Sequence, residues 1–138
     1  MPLVIGGAIM TLVAASQSAG LAMDAAERSA LLDAARVPVS EMLGKPPLLV
    51  VRQLNRDGAW AFLFADMQQR PGVPYDYSGT RKAEAARHGA VSRSYAALLR
   101  KDGEGWRVVE CVIGPTDVAW SGWAQKYRLP SSLFAFDQ

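Results

Sequence analysis

Hydrophobic residues recur at helical spacing where the first charged side chains occur. Asp24 is a favourable N-cap residue, and Glu27 completes a capping-box pattern three positions later. The apolar residues of this stretch are Leu31, Leu32, Ala35, Val39, Met42 and Leu43. Pro38 lacks a backbone N–H, so we expect it to kink or split the helix nearby. Gly44 predicts the end of the helix.

Two β-hairpins are predicted in the middle of the chain. Their strands are expected over residues 48–54, 60–65, 95–100 and 106–113. The connecting turns contain Asp57-Gly58 and Asp102-Gly103, and turns of this type are expected to supply the positive-φ positions that tight hairpins require. A tryptophan follows each turn.

The strand that begins at Trp60 is apolar on both faces. Its large side chains, Trp60, Phe62 and Phe64, alternate with Ala61, Leu63 and Ala65. Such a sheet needs cover on both faces. Small residues let a helix approach closely, so we expect the N-terminal helix on the alanine face. The other face would then be covered by the C-terminal segment, a partner subunit or a ligand.

Alternation in the last predicted strand places two sets of residues on opposite faces. One set is Val109, Cys111 and Ile113, and the other is Trp106, Val108 and Val112. Gly114-Pro115 ends the strand, and a helix is expected to run to about Tyr127. Its aromatic stripe is Trp120, Trp123 and Tyr127 with Ala124. The apolar tail over residues 133–136 must also pack somewhere.

A long connection joins the two hairpins, from Asp66 to Ser94. Residues 70–79 are rich in turn-forming residues and have no periodicity. A short helix is expected over residues 81–88. All the predicted elements together indicate an α+β fold, with a kinked N-terminal helix packed on a four-stranded antiparallel sheet of two hairpins and a short C-terminal helix.

The start of the chain carries no charged side chain before Asp24. Residues 3–15 are almost wholly apolar, and small residues follow up to Ala22. This layout is typical of a secretory signal peptide. We expect a signal peptide over residues 1–22 and a single domain over residues 23–138, located in the periplasm or secreted. An uncleaved membrane anchor and an apolar segment of a cytosolic protein are the alternatives.

Charge and cysteine content narrow the function classes. The net charge of +2 does not indicate a nucleic-acid partner, although residues 81–107 hold seven Lys/Arg against three Asp/Glu. Most of those charges are expected on ordinary solvated faces. Cys111 is the only cysteine, so an intramolecular disulfide is excluded and a buried thiol is expected.

Candidate catalytic residues are few. His88 is the only histidine, and its place before Gly89 suits a residue at the end of a helix. The sequence lacks metal-ligand spacings and glycine-rich phosphate loops, so we expect no metal and no cofactor. Glu110 lies in an apolar strand. In a cavity, desolvation would raise its pKa and suit acid–base chemistry, but solvent exposure or an ion pair with Arg100 is the simpler expectation.

The candidate binding residues are Tyr75, Asp76, Tyr77, Asp117 and Trp120. The first three place two aromatic rings around an acid on the long connection, a pattern suited to gripping a protein or sugar. The alternative is that both rings hold the loop against the sheet. For Trp120 a place in the core is the simpler interpretation, and for Asp117 the simplest interpretation is an N-cap.

Residues 114–120, Gly-Pro-Thr-Asp-Val-Ala-Trp, follow a strand of the type Trp-Arg-Val-Val-Glu. Together with the Ala-Trp-Ala-Phe-Leu hairpin at residues 59–63, this segment resembles a set of small exported proteobacterial proteins. The resemblance implies an exported envelope domain and no particular reaction. The order of elements is also similar to that of cystatin-like and NTF2-like α+β folds.

The expected function is therefore an exported, non-catalytic binding domain of the cell envelope that takes a protein or envelope ligand through residues 70–79. One alternative is an NTF2-like envelope enzyme that uses Glu110 or Asp117 as acid or base. Another is an inhibitor or immunity protein. No nucleic-acid partner is expected. Contact with a membrane is expected only through an uncleaved N-terminal segment.

Overall fold

The computed structural model describes residues 23–137, and the expected signal peptide over residues 1–22 lies outside the described residues. The helices are α1 (Ala25–Leu43), α2 (Ala83–Arg87), α3 (Trp123–Tyr127) and a 3₁₀ turn (Ser131–Phe134). The strands are β1 (Leu48–Asp57), β2 (Trp60–Arg70), β3 (Val73–Pro74), β4 (Ser94–Asp102) and β5 (Gly105–Ile113). Within residues 23–137, no helix has both the length and the apolarity to span a membrane.

Helix α1 begins and ends as its sequence predicts. Asp24 Oδ1 accepts a 2.8 Å hydrogen bond from the backbone N–H of Glu27, which confirms the N-cap. Gly44 has a φ of +77° and ends the helix. Of the two outcomes expected at Pro38, a split does not occur, because α1 continues through that residue as one helix.

The chain divides into two compact units between Ala30 and Leu31. The part of α1 in the second unit buries one side chain in every four: Leu31, Ala35, Val39 and Leu43.

The sheet is antiparallel with strand order β1-β2-β4-β5, and β3 pairs with the end of β2. The predicted α+β fold is confirmed. The strands that flank the two turns are longer than expected. The connecting turns therefore contain only Gly58-Ala59 and Gly103-Glu104. The first strand therefore continues through Asn55, which the sequence had suggested as a turn residue.

The ladder between β2 and β4 is regular from Trp60 opposite Arg100 to Asp66 opposite Ser94. Each outer strand, in contrast, has an irregularity. In β1 the register shifts between Val51 and Gln53. In β5 it shifts at Val109, because Glu110 lies opposite Leu98 while Val108 lies opposite Leu99.

The β5 bulge corrects the predicted alternation of that strand. One extra residue reverses the face on which the following side chains lie. Trp106 and Val108 therefore share a face with Cys111 and Ile113, and Val112 lies on the opposite face.

One side of the sheet, here called the helix face, is covered by α1. Tyr95 lies opposite Ala65 in the ladder, and its buried hydroxyl donates a 2.8 Å hydrogen bond to the carbonyl of Ala35. This contact confirms that α1 packs on the alanine side. Cys111 is half-buried on the same face, and burial raises the pKa of its thiol.

The other side, here called the aromatic face, is covered by the C-terminal segment. Its buried cluster contains Phe62, Ala96, Leu98, Trp120, Trp123 and Leu133. Trp60, Phe64, Val112, Tyr127, Leu129 and Phe134 pack against this cluster and are partly buried. Of the three covers that the sequence left open, the structure therefore shows the C-terminal segment.

Helix α3 is shorter than predicted. It begins at Trp123, and Trp120 lies in the preceding turn, where its carbonyl accepts a 3.0 Å hydrogen bond from the N–H of Trp123. Arg128, with φ 56° and ψ 49°, ends α3 in the left-handed region. Pro130 then directs the chain into the 3₁₀ turn and back across the aromatic face.

Candidate functional site

The two tyrosines predicted to bind a partner point into the fold. Tyr75 and Tyr77 are only 1% and 2% exposed. The Tyr75 hydroxyl donates to the carbonyl of Lys45 at 2.8 Å, and the Tyr77 hydroxyl donates to that of Ser92 at 2.5 Å. Burial raises the pKa of both phenols, that of Tyr77 to about 12. These rings hold the loop in place, as the alternative interpretation of this motif expected.

Asp76, between them, is exposed. Its carboxylate accepts hydrogen bonds from the backbone N–H of Ser78 at 2.9 Å and from the Ser78 hydroxyl at 2.8 Å. These bonds lower the pKa of Asp76. Lys45 Nζ donates to the carbonyls of Asp76 and Ser78 at 3.0 and 2.5 Å. Of the three predicted loop residues, only Asp76 presents its side chain to solvent.

Gly114, the first residue of the Gly-Pro-Thr-Asp-Val-Ala-Trp segment, borders the same loop. Its φ is +72°, and a Cβ there would lie 2.9 Å from the Ser92 carbonyl and 3.0 Å from the Tyr77 hydroxyl. Only glycine fits this backbone approach without displacement. Further along, Asp117 is exposed, whereas Trp120 is buried.

Trp120 belongs to the aromatic face, away from the buried tyrosine pair. Its ring centroid lies 5.2 Å from that of Phe64 and 5.9 Å from that of Phe62. Phe136 of the C-terminal tail packs over the same rings, 5.2 Å from Phe64 and 6.0 Å from Trp120, and remains 39% exposed. Val118, in the turn that carries Trp120, is 58% exposed. This end of the aromatic face is therefore both apolar and accessible.

Two polar residues of β1 hold the tail, and sequence reasoning missed both. Gln53 is 7% exposed and donates from Nε2 to Asn55 Oδ1 at 2.6 Å. Asn55 Nδ2 donates to the carbonyls of Leu133 and Ala135 at 2.9 and 2.7 Å. Gln53 Oε1 accepts the N–H of Asp137 at 2.9 Å. These two residues are called the tail clamp below.

The ladder places the tail clamp on the aromatic face, since Gln53 lies opposite Phe64 and Asn55 opposite Phe62. The clamp and the rings of Phe62, Phe64 and Trp120 together form the tail groove. Two amide side chains at alternating positions of a strand are a sequence signal for such a site. Because the predicted strand ended at Leu54, Asn55 fell in the expected turn and this signal was not recognisable.

Glu110 lies at the other end of the aromatic face, and its partner differs from the Arg100 expected. It accepts hydrogen bonds at one carboxylate oxygen from Lys126 Nζ at 2.9 Å and from the Tyr127 hydroxyl at 2.5 Å. These bonds lower the pKa of Glu110, and desolvation opposes them only in part. The group is thus held as an ionised acceptor, which is unsuited to donating a proton at neutral pH.

Arg100 instead lies over the Trp60 ring, with its guanidinium carbon 5.2 Å from the ring centroid. Other cations of residues 81–107 also bind within the chain. Arg87 pairs with Glu84, Arg107 pairs with Asp102 at 3.3 Å, and Arg93 donates to the carbonyl of Tyr75 at 2.7 Å. These cationic side chains of residues 81–107 therefore have separate partners within the chain.

His88 caps the end of α2, with its backbone N–H bonded to the carbonyl of Ala85. Its ring lies 3.1 Å from Glu84 and is largely exposed. Across residues 23–137, no three His, Cys, Asp or Glu side chains gather in a way that could hold a metal ion.

Comparisons with protein-family models, with curated proteins and with solved structures find no match to this chain.

Proposed function

We propose that this chain is an exported, non-catalytic domain of the cell envelope that binds a protein partner through the accessible end of the aromatic face. The observation that carries the proposal is Phe136, which is 39% exposed while packed on Phe64 and Trp120. Aromatic side chains that rest on a rigid apolar floor make effective anchors, because they bury much area at a small cost in conformational entropy.

Val118 and Asp117 extend this surface. Val118 is the most exposed of the large hydrophobic residues of the described chain, at 58%. Asp117 precedes it and is exposed, which adds a negative charge to the rim of the apolar area. An apolar centre with a polar rim is the usual composition of a protein-binding surface. This placement moves the proposed contact away from residues 70–79, where the tyrosine rings are occupied.

The behaviour of the acidic groups favours binding over catalysis. Hydrogen bonds lower the pKa of Asp76, Asp102 and Glu110. An NTF2-like enzyme would need a carboxyl group with a raised pKa to act as a general acid near neutral pH. The lowered pKa of Glu110 therefore argues against its use as a general acid, one of the roles that the enzyme alternative gives it.

Export is supported by the uncharged, apolar residues 1–22 and by the resemblance of residues 114–120 to exported proteins. Cell fractionation followed by N-terminal sequencing tests this part of the proposal. We expect the periplasmic or secreted fraction to contain a chain that begins at Met23. A chain that retains residue 1 in the membrane fraction would favour the anchor, and one in the cytosol would contradict export.

Site-specific crosslinking in living cells tests the binding surface. A photo-reactive amino acid replaces Val118 in one variant and Val37 of α1 in the control, since Val37 is similarly exposed at 50%. We expect a discrete adduct from position 118 and none from position 37. The partner, identified by mass spectrometry and purified, should bind the wild-type chain in calorimetry and bind Val118→Asp at least about tenfold more weakly.

Equal crosslinking from both positions would contradict a partner surface on the aromatic face. The identity of the captured protein also distinguishes the inhibitor or immunity alternative. A wall-degrading enzyme that loses activity in the complex would support that special case of binding.

A further inference from the structure

The tail clamp recognises the main chain of the segment that it holds. Its contacts to the tail are two hydrogen bonds from Asn55 to carbonyls two residues apart and one from the N–H of Asp137 to Gln53. Ala135, between the two phenylalanines, is extended with φ −78° and ψ 146°. Hydrogen bonds to alternate main-chain groups, with side chains packed on a neighbouring surface, are the usual way in which proteins recognise extended peptides.

The side chains of the tail supply the apolar part of this recognition. Phe134 and Phe136 are two residues apart, and both pack on Phe62, at ring distances of 5.0 and 6.1 Å. Ala135 between them is exposed. The groove thus selects aromatic side chains at alternate positions and leaves the intervening one free.

We propose that the tail groove is a peptide-binding site that the chain's own tail occupies in this structure. Its ligand is a segment of another protein in which two aromatic residues flank a small, extended residue, as in Phe134-Ala135-Phe136. This inference rests on the proposed function and names the class of partner for the same surface: the rings of the ligand take the places on Phe62, Phe64 and Trp120 that Phe134 and Phe136 hold in this structure. The tail acts as an intramolecular competitor that the ligand must displace.

Displacement begins at the end of the tail, which is lightly buried, whereas Leu133 lies in the buried cluster and Phe134 packs against it. The side chains of residues 135–137 are exposed despite their contacts. A tethered segment competes at an effective concentration of about millimolar. The apparent affinity for a free peptide equals the intrinsic affinity multiplied by the fraction of chains whose tail is out of the groove. A variant with a weakened tail should therefore bind the peptide more tightly than the wild type does.

Fluorescence anisotropy with two labelled peptides tests this inference. One peptide carries the sequence of residues 131–138, Ser-Ser-Leu-Phe-Ala-Phe-Asp-Gln, and the control has serine in place of both phenylalanines. The full chain is compared with Phe136→Ala. We expect Phe136→Ala to bind the first peptide about fivefold more tightly than the wild type, and the control peptide to bind neither protein.

The tail clamp provides the second arm. Adding Asn55→Ala to Phe136→Ala should weaken peptide binding at least about tenfold, because the donor to two main-chain carbonyls is lost. Circular dichroism checks that the double variant is folded. If it is not, Gln53→Ala on the same background takes its place and has the same expected direction.

The proposal would be overturned if the peptide shows no saturable binding. It would also be overturned if the affinity is unchanged when the phenylalanines of the peptide or the clamp residues are replaced. Light scattering gives a further outcome: if Phe136→Ala forms dimers that the peptide does not dissociate, the groove accepts a second copy and the foreign-peptide assignment is wrong. If the peptide does not bind while position 118 still crosslinks to a partner, the groove inference fails alone. Loss of both would remove the proposed function too.

Discussion

The helix face and the aromatic face of the sheet are both apolar, but their covers differ. On the helix face, Ala65, Tyr95 and Ala97 lie side by side, and Leu31, Ala35 and Val39 of α1 are fully buried. On the aromatic face, the large rings of β2 meet a turn, a five-residue helix and a tail. Ala65 and Ala97 leave room for a regular helix beside the buried Tyr95 ring, whereas the rings of β2 are covered by short, irregular elements.

This difference has a functional consequence. A long helix leaves few gaps over a surface of small residues, while an irregular segment leaves rings and main-chain groups accessible at its end. The contrast between buried Phe62 and half-exposed Phe136 illustrates this, since both belong to the same set of packed rings. The face built from the largest side chains is thus the one that is incompletely closed.

The largest expected effect separates the centre of the aromatic face from its open end. Phe62 is fully buried, so Phe62→Ala should lower the free energy of unfolding by about 3–5 kcal/mol. Phe136→Ala, at the exposed end, should lower it by about 1 kcal/mol or less. Urea denaturation measures both. Similar losses for the two variants would mean that the end of this face is as closed as its centre.

A smaller effect compares one hydroxyl on each face. The Tyr95 hydroxyl is buried against the carbonyl of Ala35, so Tyr95→Phe leaves a buried acceptor without this donor and should cost about 1–3 kcal/mol. Tyr127→Phe removes a hydrogen bond to Glu110 near solvent and should cost under about 1 kcal/mol. The reverse order, measured by denaturation of the two variants, would contradict the assignment of the helix face as the better closed.

The smallest expected effect concerns pH at the rim of the aromatic face. Hydrogen bonds from Lys126 and Tyr127 lower the pKa of Glu110 below its ordinary value of 4.5. A depressed pKa in the folded state contributes stability above the unfolded-state value, and that contribution is lost as the pH falls through the folded-state pKa. The difference in unfolding free energy between the wild type and Glu110→Gln should therefore be constant above about pH 6 and shrink at more acidic pH. A difference independent of pH down to about pH 2 would show that the Glu110 interactions do not depend on its charge.

Local patterns predicted much of the fold. The hairpins follow from Asp-Gly turns flanked by apolar strands, and α1 follows from its N-cap, its apolar spacing and Gly44. The position of α1 on the alanine side follows from side-chain size in β2. In each case the deciding residues are close together in the sequence.

The remaining features depend on residues far apart in the chain. The inward orientation of Tyr75 is fixed by the carbonyl of Lys45, and the clamp residue Asn55 meets the tail about 80 positions later. The bulge at Val109 was hidden because Val108 and Val109 are both apolar, so alternation could not indicate where the phase changes. Local periodicity contains no information about such pairings.

The irregularities of β1 and β5 also restrict how this chain meets others. They lie in the two outer strands, whereas the inner ladder of β2 and β4 is regular. A bulge bends and twists a strand, and this makes it a poor template for edge-to-edge pairing with a strand of another molecule. The same distortion opposes aggregation at high concentration. A partner is therefore expected to dock on a face of the sheet rather than to lengthen it by another strand.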